Sequence, residues 1–240
     1  MKQYLEAEIQ FVLDRISPED TVVELGCGYG RVLTRLAQKA RCAFGIDSSH
    51  ESLLLAEEVM REAASSRPLP PRSASSGPVP ANAMSPRLTT SHSPAVRPTS
   101  SSPASCHLVA MDAAALAFRD GQFDVVVAIQ NGISAFHIDQ RILIEEAVRV
   151  TRSGGRVLFS SYSERFWDDR LEWFKAQAAH GLMGEIDYSR TGNGVIVCKD
   201  GLVGNTVTPD KFRNLTSGCA GAVHIQEVDG SSMFCEIVVA

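Results

Sequence analysis

The sequence lacks several patterns that would place it in a common class. No uninterrupted apolar run approaches the roughly 20 residues of a membrane-spanning helix. The opening residues, Met1–Glu6, lack the apolar core of a secretory signal, so we expect a soluble, cytoplasmic protein without a membrane partner. The net charge is −5. This balance argues against nucleic acid as the main partner, because binding phosphates requires a basic face.

Common metal and nucleophile patterns are also absent. The chain contains neither H-E-x-x-H nor G-x-S-x-G. Its six cysteines show no C-x-x-C pairing, so we expect no metal site. We interpret these cysteines as mostly reduced, buried small hydrophobic residues of an intracellular protein.

One long segment lacks the periodicity of a folded element. Residues 65–105 hold nine of the eleven prolines, many serines, four arginines and no acidic residue. Such a segment cannot bury enough apolar area to offset its ordering entropy. We therefore predict a disordered insertion at 65–105 within a single domain spanning 1–240.

The most informative residues are Thr21–Gly30, with the sequence TVVELGCGYG. An apolar run ends in Glu24, and glycines follow at positions 26, 28 and 30 before an amphipathic stretch. This pattern predicts a strand, a tight turn and a helix. Glycine has no Cβ and tolerates positive φ, so a ligand can lie against the backbone of such a turn. The N–H groups that begin the helix can bind a polar or anionic part of that ligand.

The spacing of the glycines argues against a dinucleotide. The fingerprint G-x-G-x-x-G requires a glycine at position 31 or 33, where the chain has Arg31 and Leu33. Glu24 at the strand end suits a ligand with an ammonium group and suits a pyrophosphate badly, since like charges repel at short range. A nicotinamide-dependent oxidoreductase is therefore disfavoured.

Polar residues also follow the next three predicted strands. The runs 42–47 and 106–112 end in an acid, and a β-branched run at 123–129 precedes an amide pair; these residues are Asp47, Asp112, Gln130 and Asn131. In a doubly wound sheet, a carboxylate at the strand tip after the glycine turn binds the ribose hydroxyls. The acids could instead cap helices, and the amides could satisfy turn backbone.

With the acid, strand and helix in register, E-x-G-x-G-x-G resembles motif I of the class I S-adenosylmethionine-dependent methyltransferases. The resemblance covers roughly residues 20–63 and 106–162, and more loosely the C-terminal hairpin. It implies a doubly wound, mostly parallel, seven-stranded Rossmann-like sheet with an antiparallel C-terminal hairpin. It also implies that Asp112 holds the adenine amino group and that the amide pair lines the methyl-donor pocket. The expected S-adenosylmethionine contacts are Glu24, Gly26, Cys27, Gly28, Gly30, Asp47, Ser48, Asp112, Ala113, Gln130 and Asn131.

The C-terminal third differs in pattern. A helix rich in aromatic residues is predicted at 164–180, and a β-meander follows with strands near 185–190, 195–199 and 203–208. We expect residues 164–208 to form the substrate side of the domain. The aromatic residues could simply pack the helix on the sheet. The candidates for a substrate wall are Tyr4, Tyr162, Trp167 and Trp173.

The predicted function is methyl transfer from S-adenosylmethionine to a small molecule, which leaves S-adenosylhomocysteine. An in-line displacement needs positioning more than covalent catalysis. His137 is a candidate general base if the acceptor is an amine or a hydroxyl, although a solvated or core histidine is the commoner role. The methyl acceptor, the atom methylated and the oligomeric state stay open.

Three alternatives remain at this stage. An aminopropyltransferase uses a similar sheet and a related donor, and an NAD-dependent oxidoreductase shares the sheet and the carboxylate of Asp47. A catalytically inactive, methyltransferase-like binding protein is the third. The intact residues at all four strand tips argue against such decay.

Overall fold

The computed structural model describes residues 2–65, 105–136 and 138–240. Nine strands are present in these ranges: Thr21–Leu25 (β1), Cys42–Asp47 (β2), Ser105–Ala110 (β3), Phe123–Ala128 (β4), Thr151–Tyr162 (β5), Ile196–Val197 (β6), Val203–Gly204 (β7), Gly221–Val228 (β8) and Ser232–Val239 (β9). Seven of them form one sheet in the order β3-β2-β1-β4-β5-β9-β8. The strands β1 to β5 are parallel, whereas β9 is antiparallel to both β5 and β8.

Helices cover both faces of this sheet. Their bounds are Lys2–Leu13 (α1), Arg31–Lys39 (α2), His50–Ser65 (α3), Gly132–Ala135 (α4), Gln140–Val150 (α5), Trp167–Ala179 (α6) and Pro209–Leu215 (α7), with a 3₁₀ turn at Glu164–Phe166. One apolar core joins α1 and α2 to the sheet. A second core joins α5 and α7 to its opposite face.

The β-branched runs form the centre of the sheet because both of their faces are buried. In β4, Val125 and Val127 pack in the core with α1 and α2, whereas Val126 packs in the core with α5. In β1, Val22 packs in the core with α1 and α2, and Val23 packs in the core with α5. A near-continuous apolar strand is the expected pattern for a parallel sheet covered on both sides.

The strand order determines where a ligand can enter. The chain runs outward from β1 through β2 to β3 and then crosses back to β4 on the other side of β1. The carboxyl ends of β1 to β5 all meet at one edge, which we call the carboxyl edge. In open α/β sheets, the crevice at such a reversal of strand order is the usual ligand site.

The predicted fold class is confirmed, but the connections differ from the predicted alternation of strands and helices. Residues 111–122, which join β3 to β4, contain turns and no helix. Residues 153–155, with the turn-like sequence Ser-Gly-Gly, form a bulge within β5, where the pairing with β4 shifts register. A Cβ at Gly155 would lie 2.8 Å from the carbonyl oxygen of Asp124, which explains the glycine.

The predicted β-meander is much shorter than expected. Its only regular part in the described chain is the two-residue pair of β6 and β7. Two isolated bridges, Ile186 to Cys198 and Gly192 to Val195, hold the rest. The strand-like sequence is overridden because this segment packs on α6 through a few side chains and does not extend the main sheet.

Two predictions fall on residues without a description. The proposed insertion lies outside the described residues except for its ends, Ser65 and Ser105, and His137 also lies outside them. Each of the six cysteines is described and unpaired. Within the described ranges, no helix is long and apolar enough to cross a membrane.

Candidate functional site

The glycine turn between β1 and α2 has the predicted backbone conformation. Gly26, Gly28 and Gly30 have φ values of 68°, 52° and 82°, which other residues rarely adopt. A Cβ at Gly26 would lie 2.8 Å from two ring carbons of Phe136, whereas a Cβ at Gly28 would have no atom within 4 Å. A side chain at position 26 would therefore collide with Phe136, whereas the space beside Gly28 is free of described atoms.

A cavity of about 300 Å³ lies next to this turn at the carboxyl edge. It gathers residues from the tips of β1, β2 and β3, although these are far apart in the chain. Five of the predicted cofactor contacts line it: Gly26, Asp47, Ser48, Asp112 and Ala113. Phe136 and Gly132, from the segment after β4, close its other side.

Asp47 holds the glycine turn in place. Its Oδ2 accepts a hydrogen bond from the backbone N–H of Gly28 at 2.9 Å, and its Oδ1 accepts one from the N–H of Ser49 at 2.8 Å. Each carboxylate oxygen has a second lone pair for another donor. The capping role and the ligand role are therefore compatible for this residue.

Asp112, at the tip of β3, can also both cap a turn and bind a ligand. Its Oδ1 accepts from the N–H of Ala114 at 2.8 Å, which shapes the turn after the strand. The side chain is exposed, and both Asp112 and the neighbouring Ala113 line the cavity. Its Oδ2 makes no hydrogen bond to any residue that the structure describes, so it is available for a ligand donor.

Glu24 combines burial with an unsatisfied oxygen. The residue is 5% exposed, and its Oε2 accepts no hydrogen bond in the described part of the chain. Burial is the main cause that raises the pKa of this carboxyl well above its usual range, and the nearby charge of Asp47 adds to the increase. A hydrogen bond from the backbone of Leu33 and the charge of Arg31 oppose it. A cationic donor next to Oε2 would stabilise the carboxylate and satisfy the atom.

The side chain of Cys27 is buried, so a contact of this residue with the cofactor stays a prediction for its backbone. Its side chain packs in an apolar cluster with Leu33, Ala43 and Leu53 between α2 and the sheet. Its backbone N–H donates to the carbonyl of Ile46 at 2.9 Å. Burial raises the pKa of the thiol to about 12, so Cys27 stays a neutral core residue.

Gln130 and Asn131 adopt an unusual backbone directly after β4. Both are non-glycine residues in the left-handed region, with φ values of 60° and 61°. Such conformations cost energy and concentrate at functional sites. The Gln130 N–H donates to Oε2 of Glu8 at 2.9 Å, and the Gln130 side-chain oxygen accepts from Arg31. Helix α1 and the glycine turn are thus joined through this residue.

The Asn131 side chain makes two hydrogen bonds within the protein. Its Oδ1 accepts from the hydroxyl of Ser161 at 2.8 Å, and its Nδ2 donates to the carbonyl of Asn205 at 3.0 Å. The Ser161 hydroxyl also accepts from the N–H of Val207 at 2.8 Å. Asn131 therefore fastens the segment around 205–207 to the carboxyl edge.

Glu8 is a functional candidate that the sequence analysis missed. It is fully buried on the apolar face of α1, and burial raises the pKa of its carboxyl from 4.5 to about 7. Three hydroxyls, from Ser160, Ser232 and Tyr4, lower that pKa. Glu8 lies four residues after Tyr4 and four before Val12. A charged residue on an apolar helical face was the available signal.

The predicted substrate residues Tyr4 and Tyr162 are buried in this structure, and their contact with a substrate stays a prediction. They are 2% and 8% exposed. Their rings stack with centroids 5.4 Å apart, and Tyr4 also stacks on Phe166 at 5.1 Å. Stacking of this kind closes the space between α1 and α6. Tyr162 still borders a small cavity of about 130 Å³.

The two tryptophans of α6 have different positions. Trp167 lines a cavity of about 440 Å³ beside the 185–208 segment, so it can still form part of a substrate wall. Trp173 is outside that lining and meets Phe174 edge to face, with ring centroids 5.4 Å apart. Arg170, which no sequence signal had selected, lies between the two on the same helix and is 1% exposed.

Comparisons with known proteins agree with this geometry. A family model described as a methyltransferase domain matches residues 1–191. Comparison with curated proteins gave no significant match. Among solved structures, an S-adenosylmethionine-dependent methyltransferase from Methanosarcina mazei is 16% identical with a TM-score of 0.58, over 96% of this chain and 98% of that one.

Two further structures share the fold at similarly low identity. The PH0226 protein from Pyrococcus horikoshii is 15% identical with a TM-score of 0.64, over 100% of this chain and 91% of that one. Magnesium protoporphyrin IX methyltransferase from Synechocystis, solved with S-adenosylhomocysteine bound, is 13% identical with a TM-score of 0.53, over 99% and 82%. The chain therefore belongs to the methyltransferase domain family and has the fold of S-adenosylmethionine-dependent methyltransferases.

Proposed function

We propose that the protein transfers a methyl group from S-adenosylmethionine to a small-molecule acceptor. The observation that carries this proposal is the 300 Å³ cavity at the carboxyl edge, where residues from three strand tips converge beside the glycine turn. A crevice at this point of an α/β sheet is the expected place for a nucleoside-containing ligand.

The residues around this cavity fit such a donor. The unsatisfied Oε2 of Glu24 would accept a hydrogen bond from its ammonium group, and Asp47 would accept from the ribose hydroxyls. Asp112 and Ala113 would hold the adenine from the tip of β3. Gly28 would let the donor approach the backbone, and Ser48 would lie at the edge of the ribose site. A Cβ at Gly30 would lie 3.1 Å from the Cβ of Ala56, so Gly30 would contribute to the donor site through the shape of the turn.

Catalysis in this proposal depends mainly on positioning. The bound donor supplies an electrophilic methyl group on a positively charged sulfur. The protein has to hold the acceptor atom in line with that group and exclude water, and favourable positioning supplies up to roughly 7–11 kcal/mol. Gln130 and Asn131 would fix the floor of the site. The Gln130 backbone N–H binds Glu8 of α1, and its side chain binds Arg31 of α2. The Asn131 side chain binds Ser161 of β5 and the carbonyl of Asn205. His137 is kept as a candidate base next to Phe136.

A small acceptor is supported by the size of the neighbouring spaces. The cavities near Tyr162 and Trp167 measure about 130 and 440 Å³. Both are bounded by the 3₁₀ turn before α6 and by residues near Thr206. The larger volume lies in the usual range for a small-molecule site, roughly 300–1,000 Å³, whereas the smaller one lies below it. The net charge of −5 gives no support to a nucleic-acid acceptor.

The test is a comparison of donor ligands by thermal unfolding. S-adenosylmethionine and S-adenosylhomocysteine should raise the unfolding temperature by mass action, while NAD should not. Decarboxylated S-adenosylmethionine in the same series tests the aminopropyltransferase alternative, which predicts that it binds most tightly. Absence of a shift with all four ligands would favour the inactive binding protein. A screen of metabolites for release of S-adenosylhomocysteine then identifies the acceptor.

A further inference from the structure

Arg170 is a buried cation without an anionic partner. Every aspartate and glutamate of the chain lies in the described ranges, and none of them forms an ion pair with Arg170 in those ranges. Its Nη1 donates to the carbonyl of Gly194 at 3.0 Å, and its Nη2 donates to the carbonyl of Gly204 at 2.7 Å. Its Nε is buried and has no partner within residues 2–65, 105–136 and 138–240.

Aromatic rings surround the guanidinium instead of carboxylates. Its central carbon lies 4.5 Å from the ring centroid of Tyr162 and 5.5 Å from that of Phe174. Burial lowers the pKa of Arg170, and only Tyr162 and Tyr4 act against that change. A charge held in such surroundings is unfavourable unless a partner neutralises it. The helix could have satisfied the same two carbonyls with a neutral donor.

The guanidinium borders a space that can hold such a partner. The 440 Å³ cavity is lined by Arg170 together with Ser163, Glu164, Trp167, Asn193, Gly194 and Thr206. Among the described residues of this lining, Arg170 is the only basic one. The side chain of Glu164 is exposed, so solvent screens its charge.

The cavity also adjoins the donor side of the molecule. Asn205 lies between Gly204, which binds Arg170, and Thr206, which lines the cavity. The carbonyl of Asn205 accepts from the Asn131 side chain at the end of β4. The turn beside the Arg170 cavity is therefore tied to Asn131, which directly precedes Gly132 in the lining of the 300 Å³ cavity.

We propose that this cavity binds the methyl acceptor, and that the acceptor is a small molecule bearing a carboxylate group that pairs with Arg170. This inference rests on the proposed function. A planar carboxylate matches the guanidinium fork. A phosphate is less well matched, since its charge of nearly −2 would need more than the single cation found among the described lining residues. Trp167 provides a flat apolar surface for the rest of the acceptor.

The experiment uses benzoate, benzamide and phenyl phosphate as probes of the full chain. The protein is first saturated with S-adenosylhomocysteine, and that binding is measured by calorimetry. Binding of each probe is then followed by NMR on the indole N–H signals of the two tryptophans, which Trp173→Phe assigns. Failure of S-adenosylhomocysteine to bind would refute the proposed function. Normal binding of it without a benzoate response would refute this inference alone.

Benzoate should shift the Trp167 signal in a saturable way, and benzamide should not do so at the same concentration. Arg170→Met should weaken benzoate binding at least about tenfold, because the charged hydrogen bond is lost. Arg119→Met is the matched control: it removes an exposed arginine and should leave benzoate binding unchanged.

Equal shifts with benzoate and benzamide would overturn the inference, as would tighter binding of phenyl phosphate. If Arg170→Met does not fold, Arg170→Lys and the comparison of probes on the wild type still decide the question. The lysine keeps the charge but loses the fork, so intermediate benzoate binding is expected. A carboxylate site would be excluded if Arg170→Lys bound benzoate as tightly as the wild type does and the wild type bound benzamide as tightly as benzoate.

Discussion

Replacing Glu8 with glutamine should remove a proton-linked change in stability that spans pH 4.5 to about 7. Glu8 lies on the apolar face of α1 and is fully buried, and burial raises the pKa of its carboxyl from 4.5 to about 7. Because the folded pKa lies above the unfolded one, its contribution to stability is complete below pH 4.5. That contribution is lost as the pH rises through about 7.

The magnitude follows from the size of that interval. Each pH unit between the two pKa values lowers the free energy of unfolding by about 1.4 kcal/mol, so the whole interval from 4.5 to about 7 corresponds to about 3 kcal/mol. Glutamine keeps the shape and still offers an oxygen to the N–H of Gln130, but it does not ionise. The Glu8→Gln variant should therefore gain about 3 kcal/mol over the wild type between about pH 4 and about pH 8.

The assay is urea unfolding of both proteins across this range, monitored by the fluorescence of Trp167 and Trp173. Glu6→Gln is the control on the same helix. Glu6 is exposed and pairs with Arg35 at 2.9 Å, which lowers its pKa, so its small contribution changes in the opposite direction. A stability difference between Glu8→Gln and wild type that stays constant with pH would refute the reasoning.

Three further predictions concern the donor site. Asp47→Asn should weaken S-adenosylhomocysteine binding by roughly 1–3 kcal/mol, because a charged hydrogen bond to the ribose is lost; calorimetry measures this. Binding of S-adenosylhomocysteine should also release a proton, because burial raises the pKa of the Glu24 carboxyl and the ammonium group of the ligand lowers it. The affinity should therefore rise with pH. Calorimetry in buffers of different ionisation enthalpy measures the proton release. Gly26→Ala should destabilise the protein more than Gly28→Ala. Both substitutions place a Cβ on a backbone with a strained φ, which costs roughly 1–2 kcal/mol, but only the Cβ at position 26 would lie 2.8 Å from the Phe136 ring. Thermal unfolding of the two variants measures the difference.

The controls separate each cause. Asp47→Asn with a lower unfolding temperature but unchanged ligand affinity would mean that Asp47 only holds the turn. Glu24→Gln should abolish proton release, and proton uptake by the wild type would contradict the role given to Glu24. Equal unfolding temperatures for the two alanine variants would show that Phe136 moves aside freely.

Local patterns were sufficient to predict the sheet and the donor side of the site. Two patterns of neighbouring residues predict strands: the β-branched run at 123–129 and the acid-glycine pattern after Thr21. In a parallel sheet the carboxyl ends of such strands lie at one edge, so their tips come together. The five predicted residues that share the cavity came from this reasoning. Their contacts with a ligand stay a prediction until donor binding is measured.

The acceptor side could not be predicted in this way. Arg170 binds carbonyls 24 and 34 residues further along the chain, and no spacing in the sequence encodes those contacts. The segment 185–208 has strand-like residues but packs through side chains on α6. Glu8 was detectable only as a charge within an apolar stripe, and its partner Gln130 lies 122 residues away.

The pairing of β3 with β2 has a consequence for the spacing of the two carboxylates beside the cavity. Ser105 pairs with Cys42 and Ala110 pairs with Asp47 in one parallel register. Moving β3 by one residue would turn each of its side chains to the other face of the sheet. It would also displace Asp112 by about 3.3 Å relative to Asp47. The hydrogen bonds between these two strands therefore set the distance between two residues that line the same cavity.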